Sequence, residues 1–322
     1  MLFQSAGIIT ESGSVFRTCV ANTTLLRTEI FMERFSEFKK NIRQQVPLAM
    51  HTWFQLGGIA ELFAEPKIEE ELAAILKRCR ELQVPTRTLG YGSNIIVSDA
   101  GVRGMVFRLT ASCFTDIRVE GNTVVAGGGA KLGRVVTTAV HAGLAGLENL
   151  IGIPGTVGGA IAVNLCTSSE NLHRWVKTLR LMNPSGKVLE CTNQDVSFGG
   201  NDLDLQEMIL LEAVLELNEE DPAELSKRMQ RNWIMRKTMF PTGQCSGYIF
   251  KNPRGGAASE LIERAGLKGT RIGGAVVNER NPNFIVAEPE CTSTDVLRLI
   301  DLIRNQVLDR TDTELELYIQ VW

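Results

Sequence analysis

The sequence predicts an α+β protein, and three observations carry that prediction. Short β-type runs separated by turn residues recur through its first two thirds, as at Gly104–Leu109, Asp116–Val119 and Thr123–Ala126. Amphipathic stretches long enough to cover a sheet, Ile68–Gln83 and Lys131–Ala142, are interleaved with them. The last hundred residues alternate short strands and helices in the manner of a compact α+β unit. The whole is organised around one stretch, Gly143–Asn164 (GLAGLENLIGIPGTVGGAIAVN), rich in glycine and carrying a single charge, Glu148.

In chain order, residues 1–26 show no clear period. Thr28–Gln45 spaces Ile30, Phe31, Phe35, Phe38 and Ile42 at helical intervals, which predicts a docking helix, so residues 1–45 read as an extension. His51–Pro66 is extended and broken at Gly57–Gly58, and a helix follows at Ile68–Gln83. Thr86–Val97 reads as strand, glycine loop, strand. The loop is Gly90-Tyr91-Gly92-Ser93-Asn94, and a strand rather than a helix follows it, which separates it from a Rossmann turn. Two readings of it stand: a hairpin turn, or a loop whose bare amides, Ser93 hydroxyl and Asn94 amide hold a diphosphate.

The opening stretch is a poor helix, because interior glycine costs about 1 kcal/mol relative to alanine. Its buried leucines, isoleucines and valines make it an equally poor linker. It is either a packed turn or an anion cradle. Lys177–Leu217 is strand and turn again, ending in the apolar run Met208–Leu215. Asp221-Pro222 starts a helix to about Met235, with the aspartate and proline suited to its first turn. The composition turns acidic there, placing a domain boundary at 218–222. Beyond it lie a strand at Ser246–Pro253, a helix at Ala257–Ala265, strands at Gly274–Val277 and Asn283–Val286, a helix at Ser293–Arg310 and a last alternating strand, Glu314–Trp322.

A chain of 322 residues can bury a large core, and a net charge of −3 makes no case for nucleic acid or acidic membranes as partners. Seven dispersed cysteines without a CxxC pair fit a reducing cytoplasm, and three distant histidines make no metal site. No apolar run reaches the ~20 residues of a membrane span, and the N-terminus lacks the pattern of a signal peptide. The expectation is a cytoplasmic monomer without metal.

Three motifs in order, HTWFQLGGIAELFAEP, LGYGSNIIVSDAGVRGMVFRL and the Gly143–Asn164 stretch, resemble the UDP-N-acetylenolpyruvoylglucosamine reductase (MurB) family. FKNP at 250–253, LIERAGLKGTRIGGA at 261–275 and NFIVAEP at 283–289 resemble the same family, so the likeness runs from residue 46 to the end. The resemblance implies an FAD-binding domain of the vanillyl-alcohol-oxidase type in two subdomains, at 46–218, and a small substrate-type α+β domain at 219–322. It implies NADPH as reductant, a UDP-sugar as substrate, and hydride transfer to an enolpyruvyl double bond followed by protonation, in peptidoglycan synthesis. Gly90, Tyr91, Gly92, Ser93 and Asn94, with Ile153, Pro154, Gly155, Thr156, Gly158, Gly159 and Ala160, become the expected FAD-binding residues. Lys251 and Asn252 become candidates for substrate contact or for shaping the turn.

The departures from the family pattern are concentrated in the reaction centre. The proton donor, a serine or cysteine after the glycine of G-S/C-x-F-K-N-P, is here Tyr248. Asn201 stands where the family has the arginine that stabilises the enolate, and Tyr318 where it has a glutamate. The S-x-x-H-x-N element reads Asn278 to Asn283, without its serine and histidine. Loss of donor, cation and acid together predicts a flavoprotein with the parental reaction lost or altered. The alternatives are an active reductase using Tyr248 as donor, and a non-enzymatic binding or regulatory protein on the same fold.

Overall fold

The structure, a computed structural model, describes residues 34–165, 171–195, 207–241, 244–245 and 247–322. Residues 1–40 form one unit and residues 41–322 another. In the first, the described part holds one 3₁₀ turn, Ser36–Phe38. The helix predicted over Thr28–Gln45 is therefore corrected in its described part: Ile42–Pro47 is strand β1, whose residues pair with a neighbouring strand. Aromatic spacing alone imitated a helical face, and sheet pairing decided otherwise.

In the second unit β1 is followed by β2 (Ile59–Ala64), helix α1 (Glu69–Glu81), β3 (Thr86–Thr88), β4 (Ile95–Ile96) and β5 (Val102–Phe107). Helix α1 forms because Leu72, Ile75, Leu76 and Cys79 recur on one buried face. Glu69, Glu70 and Glu71 in its first turn, and Arg78 and Arg80 in its last, complement its dipole. The first sheet runs β1-β2-β5-β3, with β2 and β3 both parallel to β5.

A second sheet follows. After α2 (Ser112–Thr115) come β6 (Ile117–Glu120), β7 (Thr123–Gly127), α3 (Leu132–His141), the short β8 (Leu144–Ala145) and α4 (Val157–Ala162). Then come β9 (Val176–Met182), β10 (Val188–Thr192), β11 (Ile209–Glu216) and the short β12 (Asn218–Glu219). The order is β10-β9-β11-β7-β6, antiparallel throughout. Its core includes Val135, Val136 and Ala139 of α3 against Leu179, Leu181, Ala213 and Leu215. Within the glycine-rich stretch, α4 corrects the expectation of a non-helical segment. Six residues take helical form there because the Thr156 hydroxyl accepts the Gly159 amide, satisfying an end that glycine leaves weak.

Helix α5 (Pro222–Met239) starts on Asp221, whose carboxylate accepts the Glu224 amide at 3.2 Å, with Pro222 in the first turn. It packs on α3 and on the 3₁₀ turn at Glu148–Leu150. The remaining elements are α6 (Ala258–Arg264), β13 (Arg271–Ile272), β14 (Ala275–Val277), β15 (Ile285–Ala287), α7 (Ser293–Thr311) and β16 (Gln320–Val321). Strands β13, β14 and β15 make one small antiparallel sheet, and α7 carries a full capping box of Thr292 and Asp295.

Two predicted strands are corrected. Of the described residues of Ser246–Pro253 only Phe250 makes a bridge, to Leu317, and of Glu314–Trp322 only β16 and that bridge are sheet. Instead of continuing one ladder, the two segments bond to each other around Ile249–Lys251, the first also bonds to Asn283, and the second goes on to pair with β4. The protein therefore has an α+β architecture in which two sheets flank a cavity and a third, small sheet supports the segment that carries the substituted reaction slots.

Candidate active site

The chain leaves β3 at Leu89 and crosses through Gly90–Asn94 to β4. Strand β3 pairs with β5, and β4 pairs with β16, so the loop joins two different sheets and is not a hairpin turn. Gly92 sits at φ +67°, and a Cβ there would lie 2.1 Å from the His51 carbonyl oxygen. A Cβ on Gly90 would meet the Thr156 hydroxyl at 2.7 Å, which presses the loop against the second glycine segment. The Ser93 hydroxyl donates to the Pro154 carbonyl at 2.7 Å and locks the two segments together.

Their backbone amides differ in use. Those of Val157, Gly158 and Gly159 donate to Ala130 O, Gly128 O and the Thr156 hydroxyl. None of the amides of Gly90, Tyr91, Gly92, Ser93 and Asn94 donates to another group among the described residues. Among the described residues the open amides are therefore those of the first loop together with Gly155 and Thr156 of the second segment, while Val157, Gly158 and Gly159 turn theirs inward.

Beside this loop lies a cavity of about 620 Å³ between the two large sheets. Four cations line it, Arg87, Arg108, Lys131 and Arg134, and no carboxylate does among the described residues. None of the four joins a salt bridge with a described residue. The Lys131 ammonium lies 5.9 Å from the Tyr91 ring and the Arg87 guanidinium 5.3 Å from the Trp322 ring. Arg108 Nη1 is 3.0 Å from His51 Nδ1. Burial, then the Arg108 and Arg43 charges, push the His51 imidazole below its ordinary value, so it is poised to accept from Arg108 as the neutral ring. Leu109, Ile161, Leu181 and Leu210 supply apolar wall. Open amides, unpaired cations and apolar wall in a cavity of this size suit a large planar polyanion, and FAD fits that description.

Of the sequence-predicted cofactor residues, Gly90, Tyr91, Thr156, Gly158 and Gly159 line this cavity. Gly92, Ser93, Asn94, Ile153, Pro154, Gly155 and Ala160 do not line it. The Asn94 side chain donates instead to the Tyr318 carbonyl at 3.0 Å. The four lining cations escaped the sequence reading because they come from β3, the end of β5 and the start of α3. Only the fold brings them together.

Tyr248 and Tyr318 lie on two backbones that run against each other. The Tyr318 amide donates to Ile249 O at 2.8 Å, and the Lys251 amide to Glu316 O at 2.9 Å. Tyr248 is 39% exposed, with its ring centroid 4.8 Å from that of Phe284 and 6.4 Å from that of Phe240. Lys251 pairs with Glu316 at 3.1 Å, and the Asn252 side chain accepts the Ala258 amide, which favours its turn-shaping role. Asn201 lies outside the described residues, as do Ser246 and Cys166.

One residue of this region was not singled out. Asn283, 2% exposed, accepts the Phe250 amide and donates to the Phe250 carbonyl, each at 2.9 Å, and its own carbonyl accepts the Ile249 amide. Its retention in an otherwise altered S-x-x-H-x-N element was the available signal. The loop and the slots also touch: the Gly247 amide donates to Ser93 O at 3.3 Å. Among the described residues no group of three or more His, Cys, Asp or Glu forms a metal site, and no helix is long and apolar enough to cross a membrane.

Comparison with known proteins bears on both halves. Residues 60–192 match the family model described as FAD binding domain. Residues 240–322 match that of UDP-N-acetylenolpyruvoylglucosamine reductase, C-terminal domain. The UDP-N-acetylenolpyruvoylglucosamine reductase of Heliobacterium modesticaldum is 38% identical over 292 residues, covering 88% of this chain and 92% of that protein. That of Anoxybacillus flavithermus is 35% identical, covering 92% and 98%. The crystal structure of the reductase from Thermus caldophilus superposes with a TM-score of 0.74 at 32% identity, covering 87% of this chain and 99% of that one.

Proposed function

The chain belongs to the UDP-N-acetylenolpyruvoylglucosamine reductase family, and from that premise we propose a flavoprotein that keeps the FAD cradle while its reduction of the enolpyruvyl sugar is lost or altered. It is an FAD-binding member of a peptidoglycan-synthesis family. When bound, FAD supplies hydride transfer. Gly90, Tyr91, Lys131, Arg134 and Arg108 would hold it, the open amides and cations meeting its diphosphate. We take NADPH as the reductant, a UDP-sugar as the ligand of the C-terminal half, residues 46–218 and 219–322 as the two domains, and a cytoplasmic monomer as the working form.

Hydride addition to an enolpyruvyl carboxylate builds an enolate, which needs a cation beside the carboxylate and a proton donor at the carbon. One observation carries the reading. In the slot where the family has a small donor, the Tyr248 ring is packed against Phe284 and Phe240, so aromatic bulk stands where the sugar has to lie. Nearby, the Lys251 charge is paired with Glu316. The sequence itself puts an uncharged residue, Asn201, in the arginine slot.

A second reading, an active reductase with Tyr248 as the acid, is favoured by Arg236. Burial pushes its guanidinium down, and the nearby Tyr248 oxygen draws it back up. The Arg236 Nη2 donates to the Asn149 carbonyl at 2.7 Å, which holds that positive charge in place.

An anaerobic visible spectrum separates the readings. Bound flavin that NADPH bleaches and UDP-N-acetylenolpyruvoylglucosamine cannot restore supports the first. Restoration by the sugar supports the second, and Tyr248→Phe should then slow it by about 10²-fold or more. A colourless protein that takes up no FAD overturns both and leaves a binding protein.

A further inference from the structure

We propose that Trp322, capped by Arg87 and flanked by Gln320, is the platform on which the cavity stacks the adenine of its ligand, making the site selective for an adenine dinucleotide over a flavin mononucleotide. The inference rests on the reading that this cavity takes FAD, and it deepens it by assigning the base-binding end.

The argument starts from which residues the cavity lacks. No described residue from 211 to 319 lines it, and that span holds both Tyr248 and Tyr318. The cavity thus receives the part of the ligand remote from the reaction. The open amides at Gly90–Asn94 stand between the two, touching the slots through Gly247 and Asn94, and they suit the diphosphate. What remains beyond the diphosphate in a flavin dinucleotide is ribose and adenine.

At that end the wall has the chemistry of a purine site. Gln320 and Trp322 are two residues apart, so their side chains share one face of the chain, and both line the cavity. The indole offers a flat apolar surface, half-buried and in contact with the cluster that holds Leu89, Ile95 and Val97. The Arg87 guanidinium 5.3 Å from its ring holds it in place. The Gln320 amide carries both a donor and an acceptor, matching the paired donor and acceptor on an adenine edge. The backbone at this point is independently fixed: the Trp322 amide donates to Ile96 O and its carbonyl accepts the Ser98 amide, each at 2.8 Å. Substituting the side chain therefore leaves the pairing intact.

The test is calorimetric titration of the full chain, stripped of flavin, with FAD, FMN and ADP, for the wild type, Trp322→Leu and Trp322→Phe. Loss of base stacking should weaken FAD and ADP by about 10- to 100-fold in Trp322→Leu. FMN binding should stay within about twofold, and Trp322→Phe should recover most of the loss. Thermal melting of the unliganded variants checks that the fold persists, and Trp322→Phe, which conserves the packing, decides the matter if Trp322→Leu melts early. FAD and FMN weakened alike, or FAD binding unchanged in Trp322→Leu, overturns the proposal. A wild type that binds ADP but no flavin, with ADP binding lost in Trp322→Leu, would overturn the flavoprotein reading and keep the adenine platform. Binding of neither overturns both.

Discussion

The cavity and the reaction slots are built by different means. The cavity depends on what its residues leave open: among the described residues, amides at Gly90–Asn94 without an acceptor and four cations without a carboxylate. The slots depend on what their residues close. Backbone joins backbone between 249–251 and 316–318, and Asn283 clamps Phe250 on both sides. A site made of open groups tolerates little change, because each substitution fills, neutralises or unbalances it. A site scaffolded by main-chain bonds keeps its shape whatever side chains stand at 248 and 318. The contrast is what the proposed function, a kept cradle beside a replaced reaction centre, would require.

The largest expected effect breaks the cradle. Gly92→Ala puts a Cβ against the His51 carbonyl at a backbone angle that L-residues rarely adopt. It should cost about 3 kcal/mol and abolish FAD uptake, read by denaturant midpoint and flavin content. Asn283→Ala is the counterpart on the slot side. It orphans the buried amide and carbonyl of Phe250 and should cost about 2–4 kcal/mol. If the two regions are as distinct as argued, that variant still binds FAD at temperatures where it remains folded.

Smaller changes sharpen the comparison. Lys131→Gln and Arg134→Gln should each weaken FAD by roughly 5- to 10-fold at low salt and flatten the salt dependence of binding, since each removes one unpaired cation. The smallest effect is a pH dependence. The His51 imidazole lies below its ordinary value of 6.5 in the folded protein, so the unfolded chain takes up the proton first. Stability should accordingly fall as pH drops below about 6.5 toward the folded value, and His51→Gln should reduce that slope in melting temperature against pH.

Much of this was legible in the chain. Period and caps marked α1, α3, α5, α6 and α7, because a helix announces itself within a few residues through its buried stripe and its ends. The two glycine motifs announced a close-packed backbone and, with the C-terminal motifs, the family. The short ladders were less legible. Ser246–Pro253 and Glu314–Trp322 alternate like strands, yet Ile249 and Phe250 bond to Asn283, Ile249 and Lys251 to residues 316–319, and Gln320 and Trp322 to Asn94 and Ile96.

What the sequence by itself determined is therefore local: helices, tight turns, and the identity of the residues in the substituted slots. Only the tertiary structure decided which amides of the glycine segments remain open. It alone also gathered Arg87, Arg108, Lys131 and Arg134 onto one cavity and set the Trp322 ring beside Arg87. The physical reason is range. Helix caps and glycine turns act over three or four residues, whereas the charge and shape of a cavity are sums over groups that come together only when the two sheets close around it.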